Sequence, residues 1–325
     1  MGANQERADD QFDTGIEATD EPSSTDQPLV SFVIATYNRK ADIEEAIDSI
    51  LEQEYRPIEV LVVSSSTDGT GTLFEDGGPF DHDCVRYYHF EKRMGCPEAR
   101  NIGYEQANGD IVITIDDDAV IRDVDATSRV VELFEQNPKL GIIGFKGVNP
   151  DGETPYQWVP TRRERMADTP FEATHFVGFG NAIRAEVFDE AGMYPGEFVY
   201  SFEEKDLSLQ TLDSGYRIRY EPSIVVLHKV SSGGRLADRE VTRRGLENRI
   251  RVAVRNLPWR YVAATTLFWV LDYVRRSSGN ADPLTALQNV FRSGNQLLES
   301  RDVVDRTTLD YVRSNDGPLY FWIFL

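Results

Sequence analysis

The run Ile111-Val112-Ile113-Thr114-Ile115 passes without a break into Asp116-Asp117-Asp118. A continuous run of apolar and β-branched residues is a strand buried on both faces, and such a strand needs layers on both sides of its sheet. Three adjacent carboxylates do not all stay ionised comfortably without a counter-charge. A hard divalent cation, bound through one or two of them and through diphosphate oxygens, is one solution. A capping cluster at a helix or turn is the other reading.

The preceding segments follow the same pattern. Leu29 to Ala35 reads as a buried strand, and Ile43, Ala46, Ile47, Ile50 and Leu51 then recur at helical spacing. Ile58 to Val63 is a second strand, closed by the turn-forming set Ser64 to Gly71, and Val85 to Phe90 is a third. Pro97 opens a helix that Gly109 stops after Asn108. Strands alternating with helices predict an α/β fold, a doubly wound and mostly parallel sheet. Ligands of such sheets sit beyond the carboxyl ends of the strands. Here those ends carry Thr36-Tyr37-Asn38-Arg39, the serine run and the aspartates, which predicts one polar cleft.

The second half is less regular. Gly178 to Asn181 is a tight glycine-rich segment, Ala185 to Ala191 is short and helical, and Glu203 to Leu212 is a helix with acids in its first turn. Ile224 to Leu227 is a strand that delivers His228, and beyond residue 240 the chain turns arginine-rich and amphipathic. Residues 1–27 are polar and acidic, with no apolar stretch of the signal-peptide kind; they read as a disordered tail that leaves the protein on the cytoplasmic side. This gives three parts: the tail 1–27, a catalytic domain 28–240 and a helical region 241–325.

Charge narrows the class of function. Asp and Glu number 55 against 34 for Lys and Arg, a net of -21. Nucleic-acid binding through a basic face is excluded as a first reading, since it needs clustered cations. Such self-repulsion is tolerated where molar salt shortens the Debye length to about 3 Å. With only six lysines among the cations, the composition suits a halophile; an ordinary acidic cytosolic protein is the alternative. Two cysteines, Cys84 and Cys96, suggest a reducing compartment.

Five segments taken in order carry a resemblance. Leu29 to Arg39 resembles the opening strand of family 2 glycosyltransferases, which have the GT-A nucleotide-diphospho-sugar transferase fold. Met94-Gly95 with Glu98 to Gly103 is similar to that family's characteristic helix, and Gly109-Asp110 leading to Asp116-Asp117-Asp118 to its DxD metal motif. Gly178 to Arg184 and Glu203 to Leu209 match its acceptor-side pair. The resemblance spans residues 28 to 235 and implies inverting transfer from a nucleotide-diphospho-sugar with Mg2+ or Mn2+.

By that resemblance Asp118 binds the metal, with Asp116 near both ribose and metal, and Asp117 joins the nucleotide contacts. Thr36, Tyr37, Asn38, Arg39, Asp68 and Arg100 fall on the nucleoside side. For Arg39 and Arg100 a helix-surface salt bridge is the competing reading. His228 is a third metal ligand or a satisfied core histidine. The resemblance places the catalytic base on Glu204, where the family has Asp, with Glu203 and Asp206 as supports or acceptor contacts. Acids in a helix's first turn also answer the macrodipole, which is the plainer explanation. Arg235, in the loop Ser231 to Arg235, is positioned to pair with phosphate. After the second strand the family's base-reading acid is missing; serine hydroxyls stand there, and UDP remains the expected nucleotide.

Tyr261 to Leu271 is uncharged but too short to span a bilayer, which takes about 20 residues. Its flanking aromatics and arginines suit either a membrane interface or docking on the catalytic domain. Leu319 to Leu325 is apolar and must be covered. The resulting expectation is a peripheral enzyme on the cytoplasmic face of the membrane. It moves a hexose or hexuronic acid to a lipid-linked (dolichol phosphate) saccharide in surface-protein N-glycosylation. A transferase for exopolysaccharide or another envelope polymer, and a nucleotide-sugar-binding protein without turnover, are the alternatives.

Overall fold

The structure is a computed structural model of the chain and describes residues 27–161, 167–231, 233, 237–276 and 282–315. Almost all of the acidic tail, Arg235 and the apolar run 319–325 therefore lie outside the described residues.

The strands are β1 (Val30–Thr36), β2 (Ile58–Ser64), β3 (Val85–His89), β4 (Ile111–Ile115), β5 (Ala119–Ile121), β6 (Leu140–Val148), β7 (Phe171–Ala173), β8 (Gly180–Arg184) and β9 (Arg217–His228). They form one sheet in the order β3-β2-β1-β4-β8-β6-β9-β5, with β7 also paired to β9. Pairings β2–β3, β1–β2, β1–β4 and β6–β9 are parallel, whereas β8 runs antiparallel to both β4 and β6. The sheet is thus mixed, and the first, doubly wound half is its parallel part.

Alternation along β1 explains the two layers. Val30, Phe32 and Ile34 pack in one core with Ile43, Ile47 and Ile50 of helix α1 (Lys40–Leu51), while Val33 joins another with Tyr104 of α2 (Cys96–Gln106). Successive side chains of a strand point to opposite faces, so each face buries its own helix. Gly103 lets α2 lie close on β1, because a Cβ there would sit 2.3 Å from Val33 Cγ1.

Helices α3 (Ala126–Gln136), α4 (Glu186–Ala191) and α5 (Glu203–Asp213) complete the first part, and α6 (Asp238–Asn256), α7 (Trp259–Arg276), α8 (Pro283–Arg292), α9 (Gly294–Glu299) and α10 (Arg306–Ser314) follow. The later helices share a core with the sheet: Val252, Ala253, Tyr261, Val262, Leu309 and Val312 belong to the cluster that holds Val33 and Leu207. Tyr261, Thr265, Trp269 and Tyr273 of α7 are buried, while Trp259, Leu267, Leu271 and Val274 are exposed. Among the described residues no helix is long and apolar enough to cross a membrane.

Several sequence expectations shift. β9 begins at Arg217, seven residues before the expected strand, and the glycine-rich segment runs directly into β8. The helix opened at Pro97 ends at Gln106, because Ala107 is already extended at φ -70°, ψ 139°.

Candidate active site

β4 ends at Ile115, and a tight turn closed by Ala119 N–H donating to Asp116 C=O at 3.0 Å sends the chain back as β5. β5 pairs antiparallel with the end of β9 in the register Ala119 with His228. That register sets the imidazole beside the turn. His228 Nε2 lies 3.3 Å from Asp118 Oδ1 and 3.7 Å from Asp116 Oδ2. One ligand atom from each of Asp116, Asp118 and His228 fits within 4.8 Å of the other two. Asp118 Oδ1 is buried and accepts no hydrogen bond among the described residues. An orphaned buried carboxylate oxygen facing an imidazole nitrogen suits a cation between them. The residues fit a divalent metal.

The core-histidine reading of His228 fails in one respect. Its ring packs against Trp158 and Phe179, with centroids 5.0 and 4.9 Å away, yet Nδ1 is buried with no hydrogen-bond partner among the described residues. It is a half-packed ring whose Nε2 faces acids.

Asp117 points to the other side of the turn. Thr36 Oγ1 donates to Asp117 Oδ2 at 2.8 Å, and Arg39 Nη1 to Asp117 Oδ1 at 2.6 Å. Burial pushes the Asp117 carboxyl up to about 6, against the pull of Arg39. For Asp118, burial likewise opposes ionisation, but contacts with His228, Arg39 and the Ser231 N–H outweigh it and hold the group below its ordinary range. Arg39 also donates to the carbonyls of Ser231 and Gly233 at 3.0 and 2.6 Å, and so ties the loop after β9 to the aspartates.

Arg100 does form ion pairs, but buried ones and not on a helix surface. Only 3% of its side chain is exposed. Nη2 donates to Asp116 Oδ1 at 2.5 Å and to Gly178 C=O at 2.9 Å, while Nη1 lies 3.6 Å from Glu203 Oε1 and 3.8 Å from Glu204 Oε1. One guanidinium therefore joins the aspartate turn to the first turn of α5.

Burial raises the carboxyls of both Glu203 and Glu204. Glu203, the deeper, is pushed up to about 8 by burial and by Glu204, against Arg100. Two carboxyls this close and this buried oppose each other's ionisation, so the pair favours a single negative charge. Asp206 is a support: its Oδ1 accepts from Arg255 Nε at 2.9 Å and from Asn256 Nδ2 at 2.6 Å, both on α6. Ser201 and Phe202, which lead into α5, have φ of 72° and 73°, a strained conformation for residues with a Cβ. Asn248 of α6 holds this segment by donating to the carbonyls of Tyr200 and Ser201 at 2.9 and 2.7 Å.

The cleft has two lobes. Thr36, Tyr37, Arg39, Ser65 and Asp116 to Asp118 line one, and Arg100, Trp158, Glu203 and Glu204 line the other; Cys96, Asp116, Tyr200 and His228 belong to both. Asn38 and Asp68 do not line it. Asn38 Oδ1 accepts from Thr67 N–H at 2.7 Å, and Asp68 accepts from the N–H groups of Lys40 and Thr70, so the pair stitches the loops after β1 and β2 together. Sequence reasoning missed Arg93, whose Cζ lies 4.1 Å from the Tyr37 ring centroid, and Trp158. Lys92-Arg93 just before Met94-Gly95 was the available signal for the first; Trp158 sits in a stretch with no periodicity to read.

Residues 31–192 match the family described as glycosyl transferase family 2. Over 115 residues the chain is 33% identical to a poly-beta-1,6-N-acetyl-D-glucosamine synthase of Staphylococcus epidermidis, covering 35% of this chain and 27% of that protein. The chain thus aligns with little more than a quarter of that relative's length. Over 220 residues it is 29% identical to a glucosyl-dolichyl phosphate glucuronosyltransferase of Haloferax volcanii, covering 62% of this chain and 69% of that protein. Among solved structures, a mannosyltransferase from Pyrobaculum calidifontis in complex with GDP-Man and Mn2+ superposes with a TM-score of 0.56 at 20% identity, over 90% of this chain and 85% of that one. S. aureus TarS 1-349 in complex with UDP-GlcNAc gives 0.57 at 17%, over 89% and 88%. The structural likenesses establish the GT-A fold.

Proposed function

We propose that this chain, whose residues 31–192 match glycosyl transferase family 2 and which has a GT-A fold, is a nucleotide-sugar glycosyltransferase that moves a hexose or hexuronic acid, with inversion, from a UDP-sugar to a lipid-linked saccharide. The observation that carries this reading is Arg100, whose two ends reach Asp116 at 2.5 Å and Glu204 at 3.8 Å. It sets a metal-competent cluster and a carboxylate of raised pKa on the two lobes of one cleft.

Asp116, Asp118 and His228 would hold Mg2+ or Mn2+, which supplies positive charge to the departing diphosphate when bound. Thr36 and Arg39 fix Asp117 and keep the aspartate turn in one shape. Glu204 takes the proton of the acceptor hydroxyl as the new glycosidic bond forms. Burial raises its basicity, while Arg100 keeps it ionised. Glu203, protonated, limits the pair to one negative charge. Backside attack by the activated hydroxyl inverts the anomeric carbon in a single displacement.

The finer reading draws on the relatives and on the helices after α5. The named Haloferax volcanii relative is a glucosyl-dolichyl phosphate glucuronosyltransferase, which supports a lipid-linked dolichol phosphate acceptor and a haloarchaeal setting; surface-protein N-glycosylation is the process we propose for it. The net charge of -21 fits work in concentrated salt. On α7 the exposed Trp259, Leu267, Leu271 and Val274 accompany Arg260, Arg275 and Arg276, a composition suited to an anionic membrane surface on the cytoplasmic side. The poly-N-acetylglucosamine synthase relative favours the second reading, an envelope-polymer acceptor.

A donor screen in multimolar KCl, with divalent metal and a membrane lipid extract, tests the proposal. The expected result is metal-dependent release of nucleoside diphosphate from one donor, coupled to a lipid that gains one sugar. Sugar transfer to a soluble polymer alone moves the acceptor to the second reading. Donor binding without release under every condition leaves a binding protein.

A further inference from the structure

Beyond the acceptor lobe a second cavity runs between α5, α6, α7 and α10. Leu209, Val252, Ala253, Leu257, Trp269 and Val312 give it apolar walls. It meets the acceptor lobe at His175, Phe202 and Lys205, which line both. In a chain with 55 acidic residues, no carboxylate lines this cavity among the described residues, yet Lys205 and Arg249 do.

The polar groups at the junction are poorly satisfied. The Lys205 ammonium makes no ion pair within 4.0 Å and no side-chain hydrogen bond among the described residues, although it follows Glu204 directly in sequence and feels its charge. Thr174 Oγ1 and His175 Nδ1 are buried without hydrogen-bond partners among the described residues. Burial, reinforced by Lys205, keeps His175 neutral, and burial draws the Lys205 ammonium down to about 7. Arg249 is held flat between two rings, with Cζ 4.0 Å from the Phe202 centroid and 3.9 Å from that of Trp269. Unsatisfied buried polar groups carry a desolvation cost and call for an explanation. A cationic mouth with spare donors, opening on an apolar slot, is complementary to an anion attached to a hydrocarbon.

We propose that this cavity is the seat of the acceptor's lipid phosphate, with the phosphate at Lys205, Arg249, His175 and Thr174 and the first part of the hydrocarbon chain between Leu209, Val252 and Trp269. The assignment rests on the transferase reading and adds the place where the acceptor is gripped. Lys205 is next to Glu204 in the chain, so a head group held there leaves the attached sugar to reach into the lobe that Glu204 lines. Thr265 and Trp269 of α7 line the cavity, and the same helix carries the exposed Leu267 and Leu271 of the surface proposed for the membrane.

Calorimetric titration of the full chain with farnesyl phosphate, farnesol and inorganic phosphate tests this. Farnesyl phosphate is expected to bind about tenfold or more tighter than either of the others, because head and tail are both recognised. Lys205→Met should weaken farnesyl phosphate about tenfold and leave farnesol unchanged, Lys205→Arg should keep most of the affinity, and Val252→Trp should block the slot. Equal binding of farnesol and farnesyl phosphate, equal binding of inorganic phosphate, or indifference to Lys205→Met overturns the proposal. A parallel assay of metal-dependent nucleoside diphosphate release by the unaltered chain separates the two ideas. Release without farnesyl phosphate binding sinks the cavity assignment alone. Binding without release or donor binding sinks the transferase reading and leaves an anionic-lipid site.

Discussion

A Cβ placed on Gly178 would lie 2.1 Å from Glu204 Oε1 and 3.0 Å from Arg100 Nη1. The glycine is therefore the floor under the proposed base, and its carbonyl also accepts from Arg100. Gly178→Ala should push the Glu204 carboxylate aside while leaving the donor lobe untouched. A displacement of about 1 Å costs on the order of 100-fold in rate. Steady-state kinetics should show kcat down by about 10- to 100-fold with donor KM nearly unchanged; a loss in donor KM alone would place Gly178 in another role.

Glu204→Ala should lower kcat by about 100- to 10,000-fold, the range of a lost general base, while donor binding persists. Because burial raises the Glu204 pKa, kcat/KM of the native enzyme should fall as pH drops through that raised value. Glu204→Asp should retain part of the rate, since the carboxylate survives one methylene short. Full turnover by the alanine variant removes Glu204 from the mechanism.

Metal removal reads the cluster at the end of β4. Chelator should abolish nucleoside diphosphate release, and Asp118→Asn should not be rescued by added Mg2+ or Mn2+. His228→Ala should be rescued in part, with the metal concentration for half activity raised about 10- to 100-fold. Metal titrations of donor turnover distinguish these outcomes. Activity indifferent to chelator would leave Asp116, Asp118 and His228 as a structural knot.

Glu203 carries a stability prediction with a definite sign. Its carboxyl is raised by burial to about 8 from an ordinary 4.5. The folded state then binds more protons than the unfolded one between those values, so stability falls as pH rises through that window. Below it the group costs nothing, and above it the full cost of a buried charge is present. Glu203→Gln, which mimics the protonated acid, should match the native chain near pH 5 and melt higher by about 2 °C or more at pH 9. Thermal melts at the two pH values check it, and a native chain that gains stability over the native Glu203 window relative to Glu203→Gln would reverse the assignment.

Much of the fold was legible because the sheet's first half is written in local patterns. β1, β2 and β4 are continuous apolar runs, and α1 repeats Ile43, Ile47 and Ile50 at helical spacing. β5 and β7 were not legible, because three residues carry no period, and β6 was missed although its nine residues are almost wholly buried. Asn38 and Asp68 were assigned to the nucleoside side by family resemblance; in the fold they bond neighbouring backbone, as short polar side chains in loops commonly do. Arg39 and Arg100 were ambiguous for a related reason: sequence spacing gives no partner for a cation on a helix.

The sequence by itself determined the strand that ends in Asp116-Asp117-Asp118 and the acidic first turn of α5, since burial of a continuous apolar run leaves charge nowhere but its end. Only the tertiary structure decided what those charges meet. His228 reaches Asp118 because β5 and β9 pair in one register, and Arg100 reaches Asp116, Glu203 and Glu204 because Gly103 lets α2 settle on β1. The contacts of Asp118 with His228 and of Arg100 with Glu203 and Glu204 join segments about 100 residues apart, fixed by strand pairing and close packing, and no local pattern encodes such a distance.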